Sequence, residues 1–360
     1  MRQTDTPNTT TANPIFEPYE LSPGLTLSNR VVMAPLTRSM ADDDLVPTEA
    51  MAAYYGRRAD AGLIISEAIL IAQEGQGYPN GPGLYSEAQV QAWQQVTQRV
   101  HDRGGKIFAQ IWHTGRVSHS IYHNGQLPIA PSAVGLKGRP AMTDLSYEVP
   151  RAMSQDDIDR VIALFGQAAA NAMRAGFDGV EIHGANGYII DQFLHYASNL
   201  RTDAYGGNAE NMSRFLMQVL DAVKVHVPEN RIGLRLSPHA GIDEAWVVMD
   251  HDDRDKSVFE YLLTQLNTRD LAYIHKGMYD DYVVPHLGGT SSQFIKRHYH
   301  GKVMACGGYT AESGAQAIAR GDADLIAIGR PFIANPDLVP RLVKGEPLLE
   351  FEDAMLAELY

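Results

Sequence analysis

The sequence predicts an α/β fold, a closed (β/α)8 TIM barrel of parallel strands. Short apolar segments recur along the 360 residues, and most lack polar alternation, as expected of strands buried on both faces. Longer segments with helical periodicity separate them, which is typical of βαβ units. The predicted strands are 31–36, 63–68, 106–112, 179–183, 231–237, 271–275, 302–305 and 325–329. The clearest predicted helices are 48–60, 87–103, 155–175, 210–227, 253–267 and 311–320.

A closed barrel is favoured over an open, doubly wound sheet for two reasons. Eight strands in roughly 300 residues match the size of a (β/α)8 barrel. No glycine-rich dinucleotide fingerprint follows the first strand, although an open sheet of this kind usually carries one there. Helix punctuation agrees with the strand pattern, because Ser154 with Asp157 predicts a capping box and Gly176 stands where a helix would end.

The chain divides into a single barrel, residues 15–345, with a disordered N-terminal tail, 1–14, and a C-terminal tail, 346–360. Residues 15–30 contain Pro and Gly turns and predict a hairpin that plugs the barrel floor. The segment 114–153 is long and rich in Pro and Gly. A loop of this length within a compact domain is usually functional, so we expect it at the rim of the active site.

Composition narrows the function. The apolar fraction is 44% and the net charge is −13, which disfavours binding to nucleic acid or to an anionic membrane. Cys306 is the only cysteine. It predicts a packed core thiol and excludes a disulfide or an all-cysteine metal site within the chain. We expect no metal, no membrane-spanning segment and no signal peptide, and a cytoplasmic enzyme.

The fourth predicted strand carries the strongest chemical signal. It runs into His183, and a glycine-containing turn then brings Asn186 and Tyr188. Because active sites of this fold lie at the C-terminal ends of the strands, these side chains are expected above the barrel mouth. Histidine and asparagine donors hold a developing oxyanion, and a phenol gives a proton. The alternative interpretation is one packed histidine and two turn residues.

The last two predicted strands indicate a phosphate site. They end in Gly307-Gly308 and in Gly329-Arg330, and each is followed by the start of a helix. Glycine loops and helix N-termini bind phosphate at this position of the fold, and Arg330 adds a fixed positive charge. The alternative is a set of ordinary turn glycines.

Four charged residues lie within or just after the predicted strands. Arg235 interrupts an apolar strand, so it requires a partner, either a structural ion pair or an electron-rich ligand in the mouth. Glu67 and Glu181 are interpreted as scaffold salt bridges instead of a catalytic carboxylate pair. Lys276, just after the sixth strand, is the best candidate for a Schiff-base lysine if the barrel is an aldolase or lyase.

Taken together, the strand-end motifs resemble the Old Yellow Enzyme family of flavin ene-reductases over about residues 15–343. The matching stretches are NRVVMAPLTR (29–38), QIWHTGR (110–116), HGANGY (183–188), DQFL (191–194), RTDAYGG (201–207), RLSP (235–238), GGYT (307–310) and ADLIAIGRPF (323–332).

The resemblance implies a non-covalently bound FMN. Pro35, Leu36, Thr37 and Ala68 would line the isoalloxazine, with Thr37 hydrogen-bonded to its O4. The pyrimidine edge would be held by Gln110 and Arg235. The resemblance assigns the phosphate to the predicted glycine site, which comprises Gly307, Gly308, Gly329 and Arg330.

The resemblance also implies a reaction. A nicotinamide, NADPH or NADH, would pass hydride to flavin N5, and an activated alkene would then receive it at the β-carbon. His183 and Asn186 would bind the activating carbonyl or nitro oxygen, and Tyr188 would protonate the α-carbon. Trp112 and Tyr78 would form pocket walls. A monomer or homodimer is expected.

The sequence departs from the family pattern in three places, and it leaves three rival functions to be considered. Met212 replaces a usual arginine, the loop 239–246 is atypical, and the tail lacks the family's aromatic, glycine-containing segment. The loop and the tail would border the pocket, so they bear on substrate preference more than on chemistry. The rivals are an iron–sulfur dehydrogenase, which a single cysteine disfavours, a barrel aldolase, and a flavin-binding protein without catalysis.

Overall fold

The computed structural model describes residues 13–239, 252–278 and 280–359. Its strands are β1 (Tyr19–Ser22), β2 (Leu25–Leu27), β3 (Val31–Met33), β4 (Leu63–Leu70), β5 (Ile107–Trp112), β6 (Ile129–Ala130), β7 (Arg151–Ala152), β8 (Gly179–Gly184), β9 (Ile232–Leu236), β10 (Tyr273–Lys276), β11 (Val303–Cys306) and β12 (Leu325–Ile328). Its helices are α1 (Glu49–Gly56), α2 (Glu87–His101), α3 (Gln155–Arg174), α4 (Ile189–Leu194), α5 (Ala209–Val223), α6 (Asp255–Leu266), α7 (Ser291–His298), α8 (Ala311–Ala319), α9 (Arg330–Ala334) and α10 (Leu338–Lys344).

The predicted (β/α)8 barrel is confirmed. Its parallel strands close in the order β3, β4, β5, β8, β9, β10, β11, β12, and each corresponds to one predicted strand. The largest difference in bounds is in β3, which ends at Met33 instead of residue 36. Pro35 lacks an N–H and cannot extend the ladder, so the chain leaves the barrel there.

The barrel interior is apolar toward its floor, the end where the strands begin. Inward side chains such as Ile65, Phe108 and Met304 form one buried cluster. The antiparallel hairpin β1–β2 adds Leu21 and Leu25 to the same cluster. The predicted hairpin therefore exists and closes the floor. Cys306 is 8% exposed within this cluster, as predicted for a packed thiol.

The helices surround the barrel, and α3 begins and ends at the predicted capping residues. Ser154 and Asp157 form the predicted capping box of α3, and Gly176 follows that helix with a left-handed φ of 85°. Helix α7 was not predicted. It is only eight residues long, and Thr290 with Gln293 caps its N-terminus. Met212 is fully buried in the core of α5, where an arginine would have needed a partner.

Two irregular segments border the mouth, the end of the barrel where the strands finish. The predicted long loop follows β5 and contains only a 3-10 turn, Ser120–Tyr122, and the paired strands β6 and β7. The segment 346–359 packs back onto the barrel, because Arg38 donates hydrogen bonds to the carbonyl oxygens of Met355 and Glu358.

Two predictions concern residues that the structure does not describe. Most of the N-terminal tail, 1–12, and most of the atypical loop, 240–246, lie outside the described ranges. Within those ranges, no helix combines the length and the apolar character needed to cross a membrane.

Candidate active site

The side chains predicted to bind and protonate the substrate meet at the barrel mouth. His183 lies at the end of β8, and the turn after that strand carries Asn186 and Tyr188. Trp112 is the last residue of the neighbouring strand, β5. Tyr78 reaches the same place from the loop that follows β4. The turn takes this path because Gly187 adopts a φ of 78° and Asn186 one of 58°, both left-handed.

Four aromatic side chains form one packed cluster. The rings of Trp112 and His183 stack with centroids 5.9 Å apart. The Tyr188 ring stands edge-on to both, at 4.6 Å from Trp112 and 4.9 Å from His183. The Tyr78 ring lies 5.4 Å from Trp112, and its hydroxyl is 2.8 Å from the hydroxyl of Tyr188. The Tyr188 phenol is therefore held in one orientation by packing and by a hydrogen bond.

The electrostatics of the mouth keep His183 neutral. Burial, reinforced by the positive charges of Arg235 and His275, holds the pKa of His183 well below its ordinary value. Its Nδ1 has no hydrogen-bond partner in the described part of the chain. A neutral imidazole retains one N–H, so His183 is able to donate to a ligand oxygen without carrying a charge.

The amide of Asn186 is fixed with its oxygen turned away from a ligand. Its Oδ1 accepts the backbone N–H of Met278 at 2.8 Å and lies 3.3 Å from the hydroxyl of Ser237. Because a backbone N–H is only a donor, this contact assigns the amide orientation. Gly277 permits the approach, since a Cβ there would lie 2.4 Å from Ser237 Oγ. The Nδ2 hydrogens of Asn186 remain to donate to a ligand.

A second polar group lies beneath the mouth, on adjacent strands. Gln110 Nε2 donates to Glu181 Oε1 at 2.7 Å, which leaves the Gln110 carbonyl oxygen as an acceptor. His275 Nδ1 is 2.9 Å from the other oxygen of Glu181. Burial would raise the pKa of Glu181, but His275 and Arg235 outweigh it and lower that pKa. The predicted salt bridge of Glu181 is present, with His275 as its partner.

Arg235 differs from this paired carboxylate. It is 7% exposed, and its Nε has no hydrogen-bond partner within the described residues. Its strand neighbours are His183 and His275, neither of which is an anion. A buried guanidinium N–H without a partner is costly unless a ligand accepts its hydrogen bond. Arg235 Nε is without a partner among the described residues, and an electron-rich ligand in the mouth stays a prediction.

Thr37 stands in an exposed position after β3, on a loop that Glu67 holds. The Glu67 carboxylate accepts the backbone N–H groups of Arg38 and Ser39, each at 3.2 Å. Burial raises the pKa of Glu67 to about 7, although these hydrogen bonds and one from Tyr55 oppose the shift. The salt bridge predicted for Glu67 is wrong, because its partners are N–H groups and a phenol. Pro35 and Leu36 are half-buried beside Thr37, and Ala68 is buried on β4.

The predicted phosphate site has the expected backbone. Gly307 and Gly308 follow β11 with φ values of 124° and 72°, which favour glycine. A Cβ on Gly307 would lie 2.5 Å from the backbone nitrogen of Asp281. Gly329 and the exposed Arg330 begin α9, and the Arg330 guanidinium lies 5.7 Å from the ring of Phe351 in the C-terminal segment. The C-terminal segment therefore borders the predicted phosphate site.

The structure disfavours the aldolase interpretation. Lys276 is 2% exposed, and its Nζ donates to the backbone oxygen of Asp280. Burial lowers the pKa of Lys276, but the amine faces main-chain carbonyls instead of an accessible carbonyl substrate. A Schiff base requires a free amine at the mouth.

Sequence reasoning missed several contacts that fix this site. Tyr78 was predicted as a pocket wall, but not as the hydrogen-bond partner of Tyr188, because 110 residues separate the two. Ser237 and Met278, which fix the amide of Asn186, were not singled out. The one available signal was the RLSP stretch that contains Ser237, and it marked a strand end without indicating a partner.

The fold and the mouth define a class of protein, a (β/α)8 barrel enzyme whose polar and aromatic side chains gather at the C-terminal ends of the strands. The chain belongs to the NADH:flavin oxidoreductase / NADH oxidase family, whose model matches residues 14–348. The predicted resemblance to the Old Yellow Enzyme family is thereby confirmed, and the protein is a flavin oxidoreductase.

Relatives and solved structures of similar sequence cover most of the chain. A probable flavin mononucleotide-dependent alkene reductase of Leishmania infantum is 41% identical, covering 90% of this chain and 89% of the relative. The 12-oxophytodienoate reductase 7 of rice, Oryza sativa subsp. japonica, is 42% identical, covering 91% and 87%. Morphinone reductase in complex with tetrahydroNAD superposes with a TM-score of 0.87 at 39% identity, covering 95% and 93%. The old yellow enzyme homologue from Zymomonas mobilis gives 0.86 at 41% identity, covering 95% and 96%.

Proposed function

We propose that this enzyme reduces the activated carbon–carbon double bonds of α,β-unsaturated carbonyl or nitro compounds, with NADPH or NADH as the reductant. His183 and Asn186 bind the activating oxygen, and Tyr188 donates the proton. The observation that carries the proposal is the convergence of two neutral donors and a packed phenol in one mouth. A relative named as a probable alkene reductase and a structure with a nicotinamide analogue support the same chemistry.

The residues at the mouth fit FMN as the bound cofactor. Arg235 has an unpartnered Nε, and Gln110 presents a carbonyl oxygen, so the two offer a donor and an acceptor to the pyrimidine edge. The glycine cradle with Arg330 accepts the phosphate. The full proposed set is Pro35, Leu36, Thr37, Ala68, Gln110, Arg235, Gly307, Gly308, Gly329 and Arg330. The chemistry that FMN supplies when bound is hydride transfer, first from the nicotinamide and then to the substrate.

The protein contributes position and electrostatics. The N–H of neutral His183 and the Nδ2 hydrogens of Asn186 converge on the carbonyl or nitro oxygen, whose negative charge grows as the β-carbon receives hydride. Because both donors are uncharged and pre-oriented, they stabilise this charge without first forming an ion pair with the substrate. Tyr188 then protonates the α-carbon, since a phenol is protonated at neutral pH.

Tyr78 and Trp112 complete the proposed substrate site. Trp112 lies flat against His183 and edge-on to Tyr188, so it packs against both side chains. Tyr78 accepts or donates one hydrogen bond at the Tyr188 hydroxyl, which restricts the rotation of the donor proton. The two rings therefore shape the pocket and orient the acid.

The proposal includes the cellular setting. We propose a cytoplasmic enzyme, a monomer or homodimer, that acts on small molecules and binds neither nucleic acid nor membranes. The net charge of −13 supports the absence of a polyanionic partner.

The test begins with the visible spectrum of the purified protein. It should be yellow, with one FMN per chain released on denaturation. NADPH or NADH should bleach the flavin without oxygen, and cyclohexenone should restore its colour. A colourless protein that does not take up added FMN contradicts the cofactor. Reduced flavin that cyclohexenone leaves bleached contradicts the substrate class.

A further inference from the structure

A buried histidine outside the proposed site has two carboxylate partners. His195, which follows α4, is 1% exposed. Its Nδ1 lies 2.7 Å from Asp255 Oδ2, and its Nε2 lies 3.1 Å from Asp191 Oδ1. Asp191 and Asp255 are themselves buried. We call these three residues the His195 cluster, and nothing in the proposed reaction uses them.

The geometry favours a doubly protonated ring. Each imidazole nitrogen faces a carboxylate oxygen, so each must donate a hydrogen. Burial alone would lower the pKa of His195, but the charges and hydrogen bonds of Asp191 and Asp255 outweigh it and raise that pKa to about 10. The ring is therefore an imidazolium that joins two carboxylates from different helices, α4 and α6.

One end of the cluster contacts the turn after β8, which carries Asn186 and Tyr188. The second oxygen of Asp191, Oδ2, accepts the backbone N–H of Gly187 at 2.8 Å. Gln192 Nε2 donates to the Gly187 carbonyl at 2.7 Å, so that residue is held on both sides. Gly187 lies between Asn186 and Tyr188, and its left-handed φ leaves no regular secondary structure to fix it. Asp191 and Gln192 therefore hold the N–H and the carbonyl of the residue that joins the two functional side chains.

The other end of the cluster is anchored on α6. Asp255 is the first residue of that helix, and its Oδ1 accepts the backbone N–H of Tyr196 at 2.8 Å. The Arg254 guanidinium lies 4.2 Å from the Tyr196 ring. The imidazolium thus connects the turn after β8 to α6, the helix after β9. The backbone hydrogen bonds between the strands of the barrel do not connect these two elements.

We propose that Asp191, His195 and Asp255 are positioning residues that hold Asn186 and Tyr188 in register with each other above the barrel mouth. The inference rests on the proposed roles of Asn186 and Tyr188. The proposed effect is on the backbone of the turn. Asp191 contacts that backbone directly, and His195 and Asp255 act on it through Asp191.

Two substitutions of one residue separate hydrogen bonding from charge. Asp191→Ala removes the acceptor of the Gly187 N–H. Asp191→Asn retains it, because the amide oxygen still accepts from Gly187 and the amide nitrogen donates to a neutral His195, whose Nδ1–H still donates to Asp255. The matched control is Asp178→Asn, at the opposite end of β8, where Asp178 likewise joins a histidine, His101, to a backbone N–H.

The experiment compares FMN-loaded wild type with these three variants by two readouts. Hydrogen exchange of the peptides that cover 184–193 reports on the Gly187 N–H. Reoxidation of the reduced enzyme by an enone and by a nitroalkene reports on Tyr188, because a nitronate is stable enough to leave and be protonated in water. Asp191→Ala should exchange faster and should lower the enone-to-nitroalkene rate ratio by about tenfold, within the range expected for a slightly misplaced catalytic group. Asp191→Asn and Asp178→Asn should match the wild type in both.

A wild-type exchange pattern and rate ratio in Asp191→Ala would overturn the inference, and so would a loss in Asp178→Asn as large as in Asp191→Ala. If Asp191→Ala does not fold, Asp255→Ala takes its place. That variant keeps the bond to Gly187 but cuts the anchor on α6, and it should shift both readouts in the same direction by a smaller amount. An inactive wild type would contradict the proposed function, whereas the exchange readout would still test the cluster.

Discussion

The two ends of β8 each carry a histidine–aspartate pair that holds a backbone N–H, and the pairs differ in what they join. At the floor, His101 Nε2 lies 2.8 Å from Asp178 Oδ2, which also accepts the N–H of Ile107 at 2.9 Å. This pair connects neighbouring strands, β8 and β5, where the ladder already fixes their register. At the mouth, the His195 cluster connects elements that share no ladder.

The surroundings of the two pairs differ in the same sense. The side chains of His101 and Asp178 are 31% and 13% exposed, whereas those of His195 and Asp191 are 1% and 0% exposed. When a partly exposed pair loses one partner, water replaces the lost hydrogen bonds at little cost. When a buried pair loses one partner, the other is left buried without compensation, which is strongly destabilising. The comparison suggests that the floor tolerates change in its polar contacts, and that the mouth, where turns carry the function, does not.

Among substitutions at the two ends of β8, Tyr188→Phe at the mouth should change the reoxidation rate the most. The variant should keep FMN and its reduction by nicotinamide, but reoxidation by cyclohexenone should fall ~10²–10⁴-fold, the range for a positioned acid. Reoxidation by a nitroalkene should persist, since the nitronate is protonated in water. Stopped-flow reoxidation with each substrate measures this, with Asp178→Asn as the floor control. Equal losses on both substrates would show that Tyr188 shapes the pocket instead of donating the proton.

Removal of both oxygen donors should have the next largest effect. His183→Ala with Asn186→Ala should abolish the charge-transfer band that phenols, as mimics of the enolate oxygen, give with oxidised flavin. Enone reduction should fall by ~10²-fold or more, the scale for losing oxyanion donors. A phenol titration followed by visible absorbance provides the measurement. A normal titration in the double variant would move the oxygen site away from these residues.

The fold was predictable from the sequence, because strands buried on both faces leave continuous apolar segments and each ends at a polar or glycine-rich motif. The strand ends were also enough to place His183, Arg235 and the glycines after β11 and β12 at the mouth. The contacts that orient those side chains were not predictable. Asp255 and His195 are 60 residues apart, and a single aspartate at a helix start looks like a solvated capping residue. Helix α7, eight residues long, was also missed, although α1 has the same length and was predicted.

Alkaline pH should distinguish the buried cluster from the rest of the molecule. The pKa of His195 is raised from 6.5 to about 10 by Asp191 and Asp255 against the effect of burial. A raised folded-state pKa stabilises the fold fully below pH 6.5, and this contribution is lost as the pH rises toward 10. The melting temperature of the wild type should therefore fall across that interval, and Asp191→Asn, in which His195 is neutral, should show a shallower fall. Parallel melting curves for the two proteins would contradict an imidazolium at this position.

The smallest effect is expected for Thr37→Ala, at the edge of the mouth. The loop that carries Thr37 is held by the hydrogen bonds from the Arg38 and Ser39 N–H groups to Glu67, so the substitution should remove one hydroxyl without moving the backbone. In the proposed site that hydroxyl donates to flavin O4, and one such bond is worth about 1 kcal/mol, or about fivefold in rate.

Because the bond stabilises the reduced flavin, bleaching by NADPH should slow by about that factor in Thr37→Ala, while reoxidation by cyclohexenone should be unchanged or faster. Thr37→Ser keeps the hydroxyl and should restore the bleaching rate, and Asp178→Asn should leave both rates unchanged. Anaerobic stopped-flow absorbance separates the two half-reactions. Equal slowing of both would indicate that the loop has moved, and an unchanged bleaching rate would remove Thr37 from the proposed cofactor contacts.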